Sequence, residues 1–119
     1  MQTQKTLTAS NIRYLIAMRA LDRGDKGVRS VDIAAALRLS KPSVHNMMDT
    51  FTQLGFVSRT AYGSAHLTAA GQAAADRYAR YYAAAAALLA QRFPDAAQME
   101  TAVCALLAAL SPDQLNQLL

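Results

Sequence analysis

The clearest alternation of apolar and polar positions lies between residues 41 and 54. Val44, Met47, Met48, Phe51 and Leu54 fall at i, i+3, i+4, i+7 and i+10, an apolar stripe that a helix turns toward a core. The opposite face carries Ser43, His45, Asn46, Thr50 and Gln53, short groups that hydrogen-bond without bulk. Ser40 is the natural N-cap, Pro42 stands in the first turn where a missing N–H costs little, and Gly55 stops the run. The pattern predicts a helix over Lys41–Leu54. Just upstream, Ser30 is placed to cap a shorter helix, Val31–Leu37, and Arg38-Leu39 forms a tight polar turn between the two. Two short helices so joined are a helix-turn-helix.

The flanking pattern completes a larger unit. Ser10 is expected to cap a first helix reaching about Arg23, with Ile12, Leu15, Ile16, Met18 and Leu21 on its buried side. Gly24-Asp-Lys-Gly27 ends that helix, and Val28-Arg29 reads as a short strand. Phe56–Arg59 and Ser64–Leu67 are strand-like runs around Ala61-Tyr62-Gly63, a hairpin signal. Thr68 then caps a long helix expected to reach Arg92, through five alanines at 83–87 and Leu88-Leu89, until Phe93-Pro94-Asp95 breaks it. Met99, Val103, Leu106, Leu107 and Leu110 mark another helix. Ser111-Pro-Asp-Gln114 has the form of a capping box before Leu115, Leu118 and Leu119. The fold class expected is mainly α: a winged helix-turn-helix head over residues 1–67, followed by C-terminal dimerisation helices over 68–119, in one compact unit.

Composition sharpens this. With 53% hydrophobic and 17% charged residues, the 119-residue chain has the makings of one packed domain rather than a disordered segment. Charge is uneven. Residues 1–67 hold nine Lys/Arg against four Asp, a net of +5, whereas residues 68–119 hold three Arg against four carboxylates, a net of −1. A basic half that carries the helix-turn-helix is the electrostatic footprint of a phosphate-binding surface. The residues expected to meet double-stranded DNA are Arg29, Ser30, Ser40, Lys41, Pro42, Ser43, His45, Asn46, Thr50, Arg59 and Tyr62, with Asn46 able to donate and accept at an adenine edge. Lys41 and Arg59 are expected to act as phosphate-binding cations. Asp49 is out of place near phosphates unless it accepts from a cytosine amino group or pairs with Lys41 or Arg59.

Other chemistry finds little support. The chain shows no nucleophile–base pair, no paired carboxylates and no phosphate loop, so no enzymatic activity is expected. Asp22 and Asp25 read as solvated turn residues. A single Cys104 makes no internal disulfide and supplies no metal cluster alone, and on an apolar helix it reads as a small buried hydrophobe. Neither a membrane span nor the apolar core of a signal peptide is evident, so a cytoplasmic location is expected. The Ala- and Leu-rich C-terminal helices point to a homodimer on a palindromic operator. The competing readings are a winged-helix module for protein–protein contact and a ligand-responsive regulator of the multiple-antibiotic-resistance type.

The run Val31-Asp-Ile-Ala, Leu37, Ser40-Lys-Pro-Ser-Val44 and Leu67-Thr-x-x-Gly71 resembles the N-terminal part of the iron-dependent repressor and manganese transport regulator family, over roughly residues 10–92. That family consists of homodimeric winged-helix repressors that bind palindromic operators when loaded with divalent metal. The resemblance implies that Ser40, Pro42, Ser43 and Asn46 meet DNA, with Asn46 as the main base-reading side chain. It does not extend to the metal ligands. Their positions hold Arg13 and Ile16 in the first helix, Tyr82 in the long helix, and a run Cys104-Ala-Leu-Leu-Ala108 that keeps only the cysteine. Convergent N, O or S donors are what such a metal requires, so no metal and no cofactor are expected.

Overall fold

The computed structural model describes residues 7–22, 27–60 and 64–119. Its elements are α1 (Ala9–Leu21), β1 (Val28–Arg29), α2 (Ser30–Leu37), α3 (Lys41–Gln53), β2 (Val57–Arg59), β3 (Ser64–Leu67), α4 (Ala69–Leu89), a 3-10 turn (Ala96–Gln98), α5 (Glu100–Ala109) and α6 (Pro112–Gln117). The three strands form an antiparallel sheet in the order β1-β3-β2, with Val28 opposite Ala65 and Ser58 opposite His66. This is a mainly helical winged helix-turn-helix fold, as the pattern predicts.

Two compact units divide the described residues. One is drawn from the residues up to Arg13 together with Arg77–Leu119, and the other is Tyr14–Asp76. In the second, Val44, Met48 and Phe51 of α3 are fully buried, with Ile33 and Leu37 of α2, Val28 and Val57. Met47 and Leu54, also assigned to the α3 stripe, are half-buried. Phe51 meets Tyr14 and Phe56 edge to face, both at 6.1 Å between ring centroids. In the first unit the buried set includes Ile12, Tyr78, Tyr81, Val103, Cys104, Leu107 and Leu115. Tyr78 and Tyr81 stack edge to face at 5.3 Å, and Tyr81 donates to Asn116 Oδ1 at 3.0 Å, tying α4 to α6.

Several boundaries differ from the expected ones for local reasons. Thr8, not Ser10, caps α1: its hydroxyl accepts from the Asn11 N–H at 3.0 Å, and Asn11 Oδ1 accepts from the Thr8 N–H at 3.1 Å. This reciprocal pair does the work of a capping box, with Asn in place of Glu or Gln. Ser30 does not cap α2 but is its first residue. Arg29 takes the N-cap position with no side-chain hydrogen bond, because β1 feeds directly into the helix. The helices α3 and α4 end at Gln53 and Leu89 rather than Leu54 and Arg92, and β2 begins at Val57 rather than Phe56. Tyr14, only 3% exposed, is a core residue that the apolar stripe did not mark.

The turn of the helix-turn-helix is tighter than its sequence suggests. Arg38 adopts φ 56° and ψ 49°, the left-handed region usually filled by glycine, and its N–H and that of Leu39 both return to Ala34 O. The Leu67-Thr-x-x-Gly71 run also has a structural cause. Thr68 N–H donates to Phe56 O at 2.9 Å, its hydroxyl donates to Gly55 O at 2.6 Å, and that hydroxyl also accepts from Gly71 N–H at 3.1 Å. A Cβ on Gly71 would overlap the Phe56 carbonyl. Glycine is therefore what lets the first turn of α4 lie against the chain leaving α3.

Candidate nucleic-acid interface

The helix α3 has 13 residues, a rod of about 20 Å at 1.5 Å per residue, and a helix of ordinary diameter fits a major groove about 12 Å wide. One face of it is anchored by Val44, Met48 and Phe51; the other is open. Ser43, His45, Asn46, Thr50 and Gln53 are all exposed. The expected polar face is thus brought together on one element.

Hydrogen bonds within α3 set what each group offers. Ser40 Oγ accepts from Ser43 N–H at 3.2 Å and donates to Ser43 Oγ at 2.9 Å, which leaves the Ser43 hydroxyl proton to point outward. Thr50 donates its proton to Asn46 O at 3.2 Å, so it presents a methyl group and oxygen lone pairs. Asn46 keeps its side-chain amide exposed, with both a donor and an acceptor.

The cations divide into two sets. Lys41 and Arg38 are exposed and form no ion pair among the described residues, flanking Ser40 at the start of α3, where the helix dipole also favours an anion. Arg29 lies 3.5 Å from Asp32, an exposed pair that costs it little freedom. Arg59, expected as a phosphate-binding cation and as a possible partner of Asp49, takes up that partner. Its Nη1 donates to Asp49 Oδ1 at 2.8 Å, and its Nη2 lies 3.3 Å from His45 Nδ1. Of the two partners expected for Asp49, Arg59 is the one that reaches it. Pro42 is exposed and Ser30 half-buried. The imidazole of His66, on β3, packs near Gly27, where a Cβ would stand 2.9 Å from its ring. Tyr62 lies outside the described residues, as do Gly24 and Asp25.

The positions that the resemblance assigns to metal ligands meet a different chemistry. Arg13 Nε donates to Glu100 Oε1 at 2.8 Å, both side chains being partly buried. Burial, reinforced by Glu100, pushes the Cys104 thiol up to about 11, with Arg13 opposing. Burial also raises the Tyr82 phenol above its usual range, helped by Cys104 and Glu100. Both groups thus stay protonated at neutral pH, the poorer ligand form, beside a fixed guanidinium. These residues do not fit a divalent metal. Among the described residues no three His, Cys, Asp or Glu side chains are grouped to hold one. The Arg13–Glu100 pair was not foreseen, because its partners stand 87 residues apart and only the fold joins them.

With that geometry in place, comparisons give the chain its context. Residues 13–61, from within α1 to just past β2, match the IclR helix-turn-helix domain. No curated protein sequence matches the chain. Among solved structures, a hypothetical protein from Sulfolobus solfataricus superposes with a TM-score of 0.70 at 15% identity, covering 94% of this chain and 86% of that one. IdeR of T. acidophilum gives 0.68 at 16% identity, covering 99% of this chain and 54% of that one. MepR, a transcription regulator of the Staphylococcus aureus multidrug efflux pump MepA, gives 0.54 at 19% identity over 86% of this chain and 78% of that one. The three share the fold of this chain. No helix among the described residues is long and apolar enough to cross a membrane.

Proposed function

We propose that this chain is a DNA-binding transcriptional regulator that acts as a homodimer, without metal and without enzymatic activity, in the cytoplasm. The observation that carries the reading is the exposed face of α3: an anchored helix, polar without bulk, with Asn46 and Ser43 holding unspent hydrogen-bonding groups. Lys41 and Arg38 at its start supply charge for the phosphates. The match of residues 13–61 to a helix-turn-helix domain supports the same surface.

Residues 68–119 are read as the dimerisation region. Leu88, Phe93 and Leu119 are 55%, 46% and 61% exposed, a set of large apolar side chains that a second copy would cover. Metal independence is supported by the Arg13–Glu100 pair and the protonated Tyr82 and Cys104 at the positions where the resembling repressors place their ligands. On this reading the chain is a relative of the iron-dependent repressors in which an arginine supplies the local positive charge.

Selection of bound duplexes from a random pool tests the proposal. An enriched motif with two-fold symmetry, unchanged by chelator or added manganese, is the expected result. Recovery of no motif, together with a monomer in sedimentation at micromolar concentration, would leave a winged-helix protein–protein module as the better reading.

A further inference from the structure

Asp49 is the one acidic residue of α3, and it stands on the exposed side of the helix. Its Oδ1 accepts from Arg59 Nη1 at 2.8 Å, and its Oδ2 lies 3.6 Å from His45 Nε2. Arg59 Nη2 closes the ring at 3.3 Å from His45 Nδ1. A guanidinium has only donors, so the Nδ1 that faces it must accept. The other ring nitrogen, Nε2, is on the Asp49 side of the ring. The three side chains form a cluster that spans α3 and β2, while keeping 53% (Asp49), 62% (His45) and 29% (Arg59) of their surfaces exposed.

This arrangement changes what Arg59 does. A mobile arginine on a DNA-facing surface seeks phosphates of any sequence, releasing counterions as it binds. Arg59 is instead held by a carboxylate that cancels its charge, with two of its five N–H groups engaged and the remaining three held in one orientation. Resting on the DNA-binding reading above, we propose that Asp49 is a specificity-determining residue. It positions Arg59 beside His45 and withholds the guanidinium charge from phosphates, lowering affinity for arbitrary DNA more than for the cognate site.

The test compares wild type, Asp49→Ala, Arg59→Ala and the double variant on the duplex recovered by selection and on a scrambled duplex, across a range of KCl concentrations. Asp49→Ala is expected to bind the scrambled duplex several-fold tighter and to steepen the salt slope by about 0.9, one added phosphate contact. Its preference for the selected duplex falls, and the double variant loses the gain in slope. Weaker binding of Asp49→Ala to both duplexes at an unchanged slope would make the residue merely structural and overturn the inference alone. Failure of wild type to bind either duplex at low salt would overturn the DNA-binding reading, and this inference with it.

Discussion

The exposed side of α3 and three exposed positions after Thr68, Leu88, Phe93 and Leu119, are made of opposite materials. On α3, five neighbouring exposed residues carry hydroxyl, amide or imidazole groups, and its apolar residues are turned inward. In the region after Thr68, Leu88, Phe93 and Leu119 stand out into solvent, and Ala83 and Ala87 of α4 are exposed as well. Water covers both surfaces in the isolated chain, at very different cost. A surface that meets hydrated base edges and phosphates must keep groups that can exchange water for a partner. A surface that meets protein gains most from apolar area removed from water. On the proposed reading, α3 meets DNA and the three apolar side chains meet a second copy of the chain.

The largest effect that sharpens this contrast comes from separating the anchor of α3 from its open face. Phe51 is fully buried between Tyr14 and Phe56, so Phe51→Ala should cost about 3–5 kcal/mol of stability in denaturant unfolding, whereas Asn46→Ala on the open face should cost almost none. Equal losses would mean that the open face is itself part of the packing.

A smaller effect probes the other region through pH. Folding raises the Cys104 thiol from 9.0 to about 11, so the folded state favours the neutral thiol. That contribution is complete below pH 9 and is lost as pH rises through 11. The stability advantage of wild type over Cys104→Ala should therefore shrink over this window by on the order of 2 kcal/mol, read from unfolding curves at each pH. A constant difference would mean that the thiol is not held neutral by burial.

The smallest effect concerns charge at the interface. Lys41→Ala should weaken binding to every duplex and reduce the salt slope by about 0.9, and Arg59→Ala should reduce it by clearly less, because Asp49 already neutralises Arg59. Equal reductions in titrations against salt would show both cations to be phosphate ligands of the same kind.

The sequence was informative wherever a signal is local. The stripe of α3, the Ser40 and Ser111 caps and the stop at Gly55 all depend on residues within a few positions of one another, and each is present in the fold. Thr8 was missed because Asn11 replaces the usual Glu or Gln of a capping box, and Arg38 because left-handed backbone in a non-glycine leaves no residue-type signal. At the candidate site, the exposed face of α3 was legible from periodicity, but the state of its charges was not. Lys41 and Arg59 were both open as partners of Asp49, and only the packing of β2 beside α3 shows Arg59 bound to it, with His45 alongside. Arg13 was recognisable as a poor metal ligand, yet its partner Glu100 lies on a helix that only tertiary structure brings near. Gly71 was readable as part of a motif, and its cause, the approach of Phe56, became visible only in the fold.

If the open face of α3 reads base edges, Asn46 is the side chain whose removal shows it. The measurement compares wild type and Asn46→Ala on the selected duplex, on duplexes with single base pairs changed, and on a scrambled duplex. Asn46→Ala is expected to lose about 1–3 kcal/mol on the selected duplex, to cease discriminating at one base pair per half-site, and to bind the scrambled duplex as wild type does. An equal loss on selected and scrambled duplexes, or no loss on either, would contradict it.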